Sequence, residues 1–155
     1  HRHLARGLAA VAIVGCIWGA AGSLAVADRV WMTEGAMRAA FIGKTLDGHY
    51  ADGEDWTETY RPDGRLDYRD RRRPSIVGYW YFRDHIFCTF YDPGQSIDGG
   101  CFTAIQESAN CYEFYLAGFS EREADKDVPP GPVGRWVARA SRQGEPSTCR
   151  PRPTV

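Results

Sequence analysis

Long apolar-periodic runs are scarce in this chain, and that scarcity argues against a fold built from long helices. Its 17 Gly and 9 Pro ask instead for many short elements joined by turns. An excess of charge is also missing. A formal net charge of −1 excludes a nucleic-acid binder held by counterion release. No C-x-x-C occurs, the cysteine spacings are long, and no histidine lies near a cysteine pair, so a zinc site is not expected. No G-x-S-x-G occurs either, and beyond residue 27 only His49 and His85 are available to a nucleophile triad. No cofactor is expected. What is present is an ordinary globular composition, 43% hydrophobic and 25% charged, in a chain of 155 residues with room for one domain.

The N-terminus reads as an address. His1 to Arg6 is basic, Leu8 to Ala27 is apolar or small apart from Ser23, and Ala25-Val26-Ala27 offers small residues where a signal peptidase cuts. Residues 1–27 are therefore expected to be a signal peptide, whose removal takes away two arginines and no acid and leaves a charge of about −3. Two rivals stay open: an uncleaved membrane anchor, and lipidation at Cys16. Membrane contact is expected only through this segment. Every version exports the domain, to the periplasm or beyond the cell. The cysteines agree, since Cys88, Cys101, Cys111 and Cys149 form an even set suited to an oxidising compartment. Four cysteines allow three pairings. Cys88–Cys101 is favoured because the two sit on neighbouring runs, and Cys111–Cys149 because it ties down the tail.

Residues 28–43 are expected to hold a short helix, with Thr33 as its cap, Glu34 in its first turn and Gly43 just past its end. It would cover one end of a sheet. Residues 44–140 then read as an antiparallel β domain. Trp56, Glu58 and Tyr60 alternate onto one face, and Arg61-Pro62-Asp63-Gly64 is a hairpin turn. Ile76, Gly78, Trp80 and Phe82 share one face of the next run, with Val77, Tyr79 and Tyr81 on the other. Runs at 86–91, 101–106, 111–116 and 135–140 follow, the last with Trp136 and Ala138 inward. Residues 119–134 read as a long exposed loop, and 141–155 as a Pro-rich tail tied by Cys149. About eight short strands in sequential order predict an all-β meander, closed into a small barrel or strongly curled.

Ile42-Gly43-Lys44-Thr45-Leu46, Asp52-Gly53 before Trp56, Tyr60 before Asp63-Gly64, Gly78-x-Trp80, Phe87-Cys88 and Gly100-Cys101-Phe102 come in fixed order across residues 40–116. Together they resemble a family of small secreted proteins of unknown function from alphaproteobacteria of the rhizobial type. The resemblance implies a periplasmic β-rich domain with a cystine and carries no catalytic residues. Gly78-x-Trp80 is also similar to a lipocalin motif, an analogy of architecture alone.

Trp56, Tyr60, Tyr79, Trp80 and Tyr81 should fall on adjoining strands, and such rings serve as core, sugar platform or pocket wall. Glu58, sharing a face with two of them, should pair with an arginine or meet a ligand. The expected function is a non-enzymatic, disulfide-stabilised binding module using Trp56, Glu58, Tyr60, Tyr79 and Tyr81. Its partner would be a small apolar, aromatic or saccharide ligand, or an envelope protein. The alternative is a small hydrolase of envelope polymers using Glu58 and His49.

Overall fold

The computed structural model describes residues 30–95, 97–117 and 135–151. The expected signal peptide at 1–27 with Cys16, the expected loop at 119–134 and residues 152–155 lie outside the described residues.

One helix, α1 (Glu34–Phe41), precedes eight strands: β1 (Lys44–Tyr50), β2 (Asp55–Tyr60), β3 (Arg65–Asp70), β4 (Ile76–Arg83), β5 (Ile86–Tyr91), β6 (Gly100–Ser108), β7 (Cys111–Leu116) and β8 (Ala138–Arg142). Each strand pairs antiparallel with the next, and β8 pairs with β1, so the meander closes into a barrel. Closure follows from the pattern. Strands β2, β3, β4 and β8 alternate, burying one face and turning the other outward, which a closed ring accommodates without a bare edge.

The turns set the register. Gly64 takes φ +90° after Pro62-Asp63, and its N–H donates to the Arg61 carbonyl at 3.1 Å. The β4–β5 hairpin turns through Asp84 and His85, both at positive φ (48° and 66°), the geometry of a primed two-residue turn. That turn places Cys88 opposite Tyr81 and Tyr91 opposite Gly78.

Thr33 caps α1, its hydroxyl accepting from the Ala36 N–H at 3.1 Å. The helix plugs one end of the barrel. Met37, Ala40 and Phe41 are buried, and the Phe41 ring packs on Tyr60, Phe87, Tyr112 and Phe114 at centroid distances of 5.2–6.5 Å. Arg38 then lies over the Phe82 ring at 4.4 Å and closes the same end.

The cystines join Cys88 to Cys101 and Cys111 to Cys149. The first links β5 to β6 at a register pair, and the second fastens the tail beneath the β6–β7 turn. Their loops of 13 and 38 residues correspond to about 3 and about 4 kcal/mol in the chain-entropy model. Asn110 secures the tail as well: its amide nitrogen donates to the carbonyls of Arg142, Glu145 and Pro146, and its Oδ1 accepts from the Arg142 N–H.

The last strand differs from expectation. It spans Ala138–Arg142 rather than 135–140, and Trp136 does not enter the core. Trp136 sits outside, edge-on to His49 at 5.5 Å with the Arg139 guanidinium over its face at 4.6 Å. The reason is space. Ala138 and Ala140 face inward beside β1, where the Trp56 indole already lies flat over Gly48.

Candidate functional site

The end of the barrel opposite α1 holds a cavity of about 200 Å³. Its wall is aromatic and aliphatic, with Trp56, Phe87, Phe102, Phe114, Val137 and Ala138 around it. Tyr50, Glu58, Tyr60, Thr89 and Tyr91 supply its polar groups. Asp98, Gly99 and Leu116 are exposed and mark the mouth.

Strand alternation puts each of these inside. Trp56, Glu58 and Tyr60 are the inward positions of β2, Phe87, Thr89 and Tyr91 those of β5, and Tyr50 that of β1. Two glycines permit the shape. A Cβ at Gly48 would come within 2.3 Å of the Trp56 ring, and one at Gly99 within 2.0 Å of the Thr89 carbonyl oxygen. Glycine at 48 lets the indole lie against the wall, and glycine at 99 lets the β5–β6 loop fold down onto β5.

Glu58 is 7% exposed and has no arginine. The expected ion pair is replaced by two phenols: the Tyr60 hydroxyl donates to one carboxyl oxygen and the Tyr91 hydroxyl to the other. Arginine is absent because the inward neighbours of Glu58 across β1 and β3 are Leu46 and Tyr68, its register partners. Burial pushes the Glu58 carboxyl above the ordinary carboxylate range, and the two hydroxyl bonds pull it back only in part. Burial likewise raises the Tyr60, Tyr91 and Tyr50 hydroxyls, and the Glu58 carboxylate adds to each.

A second polar chain runs beside the first. The Tyr50 hydroxyl donates to that of Tyr68 at 3.5 Å, Tyr68 donates to Asp70 at 2.8 Å, and Asp70 pairs with Arg73. Burial pushes Tyr68 up to about 12. Asp70 resists the same desolvation and sits below its ordinary value, because Tyr68, the N–H groups of Arg72 and Arg73 and the Arg73 charge all favour its ionised form. The indole N–H of Trp56 is buried without a hydrogen-bond partner.

Of the five residues expected to bind, three line this cavity together: Trp56, Glu58 and Tyr60. Tyr79 and Tyr81 lie elsewhere. They project from the outer face of β4, 37% and 42% exposed, and pack on Phe90 of β5 at 5.1 and 5.9 Å. Alternation forces this, since Gly78 and Trp80 hold the inward positions between them. The hydrolase pairing also comes apart. His49 occupies an outward position of β1 against Trp136, whereas Glu58 faces the interior, so the barrel wall stands between them.

Tyr50, Tyr91, Phe102 and Phe114 were not foreseen as site residues. Tyr91 was within reach of period-two counting, because it shares parity with Phe87 and faces the Gly78 position across the hairpin. A buried acid on the outer wall was not foreseen either. Glu113 is 0% exposed, accepts from Tyr115 at 2.8 Å and pairs with Arg139, its register partner on β8.

No group of three His, Cys, Asp or Glu residues that could hold a metal ion occurs among the described residues, and no described helix is long and apolar enough to cross a membrane. Fold and site together define a closed eight-stranded antiparallel barrel, plugged at one end by a helix and hollow at the other. Comparison with protein-family models, with curated proteins and with solved structures finds no match for this chain.

Proposed function

We propose that the protein is an exported binding module that takes a small, largely apolar or aromatic ligand into the open end of its barrel and performs no chemistry on it. The observation that carries this reading is a hollow of about 200 Å³, walled by rings and floored by one buried carboxyl, in a barrel otherwise filled by side chains. Size narrows the ligand. A cavity of about 150 Å³ holds benzene, so this one takes one ring with a short side chain rather than a lipid or an oligosaccharide. The two cystines support maturation in an oxidising compartment, and the periplasm or the exterior of a bacterial cell is the setting proposed. Against an enzymatic reading, the groups hydrogen-bonded to Glu58 are the phenols of Tyr60 and Tyr91, and no histidine is among the described residues that line the cavity.

The test uses toluene and the full chain with both cystines formed. Saturating toluene should shift the amide resonances of Ala138, Phe102 and Tyr91 and raise the melting temperature. Ala138→Leu, which fills part of the hollow from β8, should abolish both effects. If toluene leaves spectrum and melting temperature unchanged in the wild-type protein, the ligand-binding reading is wrong.

A further inference from the structure

We propose that the ligand of this cavity is a small organic cation, a protonated amine on an aromatic or apolar body, with its ammonium seated on Glu58. The inference rests on the binding reading above and specifies the ligand's charge.

The lining carries the argument. Its formally charged side chains are both acidic, Glu58 at the floor and Asp98 at the mouth, and no Lys, Arg or His lies among its described residues. Arg73, at the end of the chain through Tyr50, Tyr68 and Asp70, is already engaged by Asp70. An anionic ligand would therefore meet Asp98 at the entrance and no positive charge inside to receive it. A neutral alcohol fares little better. It can only join the hydrogen bonds of Glu58, Tyr60 and Tyr91, a neutral contact weaker than a charge-assisted one. A cation finds the reverse: a carboxyl with its ionised form already supported by two phenols, beside the rings of Trp56 and Tyr50, whose centroids lie 5.9 Å apart with their planes tilted by 38°.

The groups facing Glu58 are Tyr60 on its own strand, Tyr91 from β5, Tyr50 from β1, and Tyr68 with Asp70 from β3. β7 and β8 bring only Phe114 and Ala138 to the hollow at this level. In the empty cavity burial disfavours the charge of Glu58, so the carboxyl holds its proton more tightly than a free glutamate does. From the protonated carboxyl, binding breaks the O–H bond, the proton leaves to solvent, and the ammonium takes its place. The cavity exchanges one positive charge for another, so its net charge is the same before and after.

The experiment is calorimetric titration of the full, oxidised chain with three probes of similar size: phenethylamine, 2-phenylethanol and phenylacetate. Phenethylamine should bind about tenfold or more tighter than 2-phenylethanol, and phenylacetate weakest of all. Repeating the amine titration near pH 5, just above the ordinary glutamate value, in two buffers of different ionisation enthalpy should show release of up to about one proton per amine bound, with none for the alcohol. Amine affinity should rise with pH until Glu58 is ionised without ligand, level off, and fall once the amine loses its charge. Glu58→Gln should bring amine and alcohol to within about threefold of each other. Should that variant fail to fold, the proton-release measurement on the wild-type chain decides alone. If the alcohol or the acid binds as tightly as the amine, or the amine binds without releasing a proton, the cation assignment is overturned and the binding reading survives. If none of the three binds, both are overturned.

Discussion

Glu58→Gln offers the sharpest test of how the barrel interior is built, because it keeps the shape of the side chain and removes only its ionisation. In the folded protein burial holds the carboxyl above the ordinary glutamate value of 4.5. Between that value and its own raised one, the folded chain keeps a proton that the unfolded chain releases. Stability from this group is thus fully present below pH 4.5 and is lost as pH rises through the folded value. The slope within the window is up to about 1.4 kcal/mol per pH unit. With a urea m-value of roughly 1–3 kcal/mol/M, the midpoint should fall by up to about 0.5–1.4 M for each unit. Asp70 does not obscure this. Its value is depressed, so its contribution is constant above pH 4.5 and is lost only as pH falls through the acid range. Urea unfolding of wild type and Glu58→Gln, measured from pH 5 to pH 8, gives two curves in which every other group is common and cancels. Their difference should widen from pH 5 up to the folded value of Glu58 and hold constant above it, the variant gaining on the wild type. Parallel curves would mean that Glu58 is ionised in the folded state, and the account of the cavity floor would be wrong.

Four further outcomes are expected. Gly48→Ala should force the Trp56 indole off the wall and into the hollow, costing about 1–3 kcal/mol by overpacking and abolishing toluene-induced shifts, as read by urea unfolding and NMR. Replacing Asp84-His85 by Asn-Gly should stabilise the chain by about 1–2 kcal/mol, since both positions hold positive φ at a β4–β5 turn, and differential melting checks it. Serine in place of Cys111 and Cys149 should destabilise by about 4 kcal/mol and release the tail to proteolysis beyond Arg142, against about 3 kcal/mol for the 88–101 pair. His49→Ala should leave the affinity for toluene unchanged, because His49 is outside the barrel; a lost signal would place it in the site after all.

The all-β meander was legible because its evidence is local. Turn residues such as Pro62-Asp63-Gly64 and the alternation of Trp56, Glu58 and Tyr60 each depend on a handful of neighbours. The same parity would have separated Tyr79 and Tyr81 from Trp56, since residues flanking an inward Trp80 must face out. The partners of Glu58 were harder. Tyr91 lies 33 positions away and arrives only through the register of three intervening hairpins, so no local pattern names it. The start of β8 was misplaced for a similar reason. Arg135-Trp136 alternates as a strand should, yet the space opposite is already filled by an indole from β2, a fact that belongs to the closed ring and not to the segment. Size of the hollow is likewise a property of the whole packing and has no counterpart in any stretch of residues.

The pairing of β8 with β1 bears on the order in which this chain acquires structure. Leu46 meets Arg142 and Tyr50 meets Ala138, contacts that join the beginning of the sheet to its end. Until β8 arrives, β1 and β7 both present unpaired backbone, the two raw borders of a seven-stranded ribbon. A chain threaded across a membrane from its N-terminus would spend its longest interval in that state, with the sheet grown but not yet a ring. The tail beyond β8 then acts as a latch. Asn110 and Cys111 grip residues 142–149 immediately after the closing strand, so oxidation of Cys149 fixes a closure already made. Rate of escape from aggregation in this protein should therefore be governed by residues 138–151, and a truncation before residue 138 should yield an edge-sharing oligomer rather than a smaller barrel.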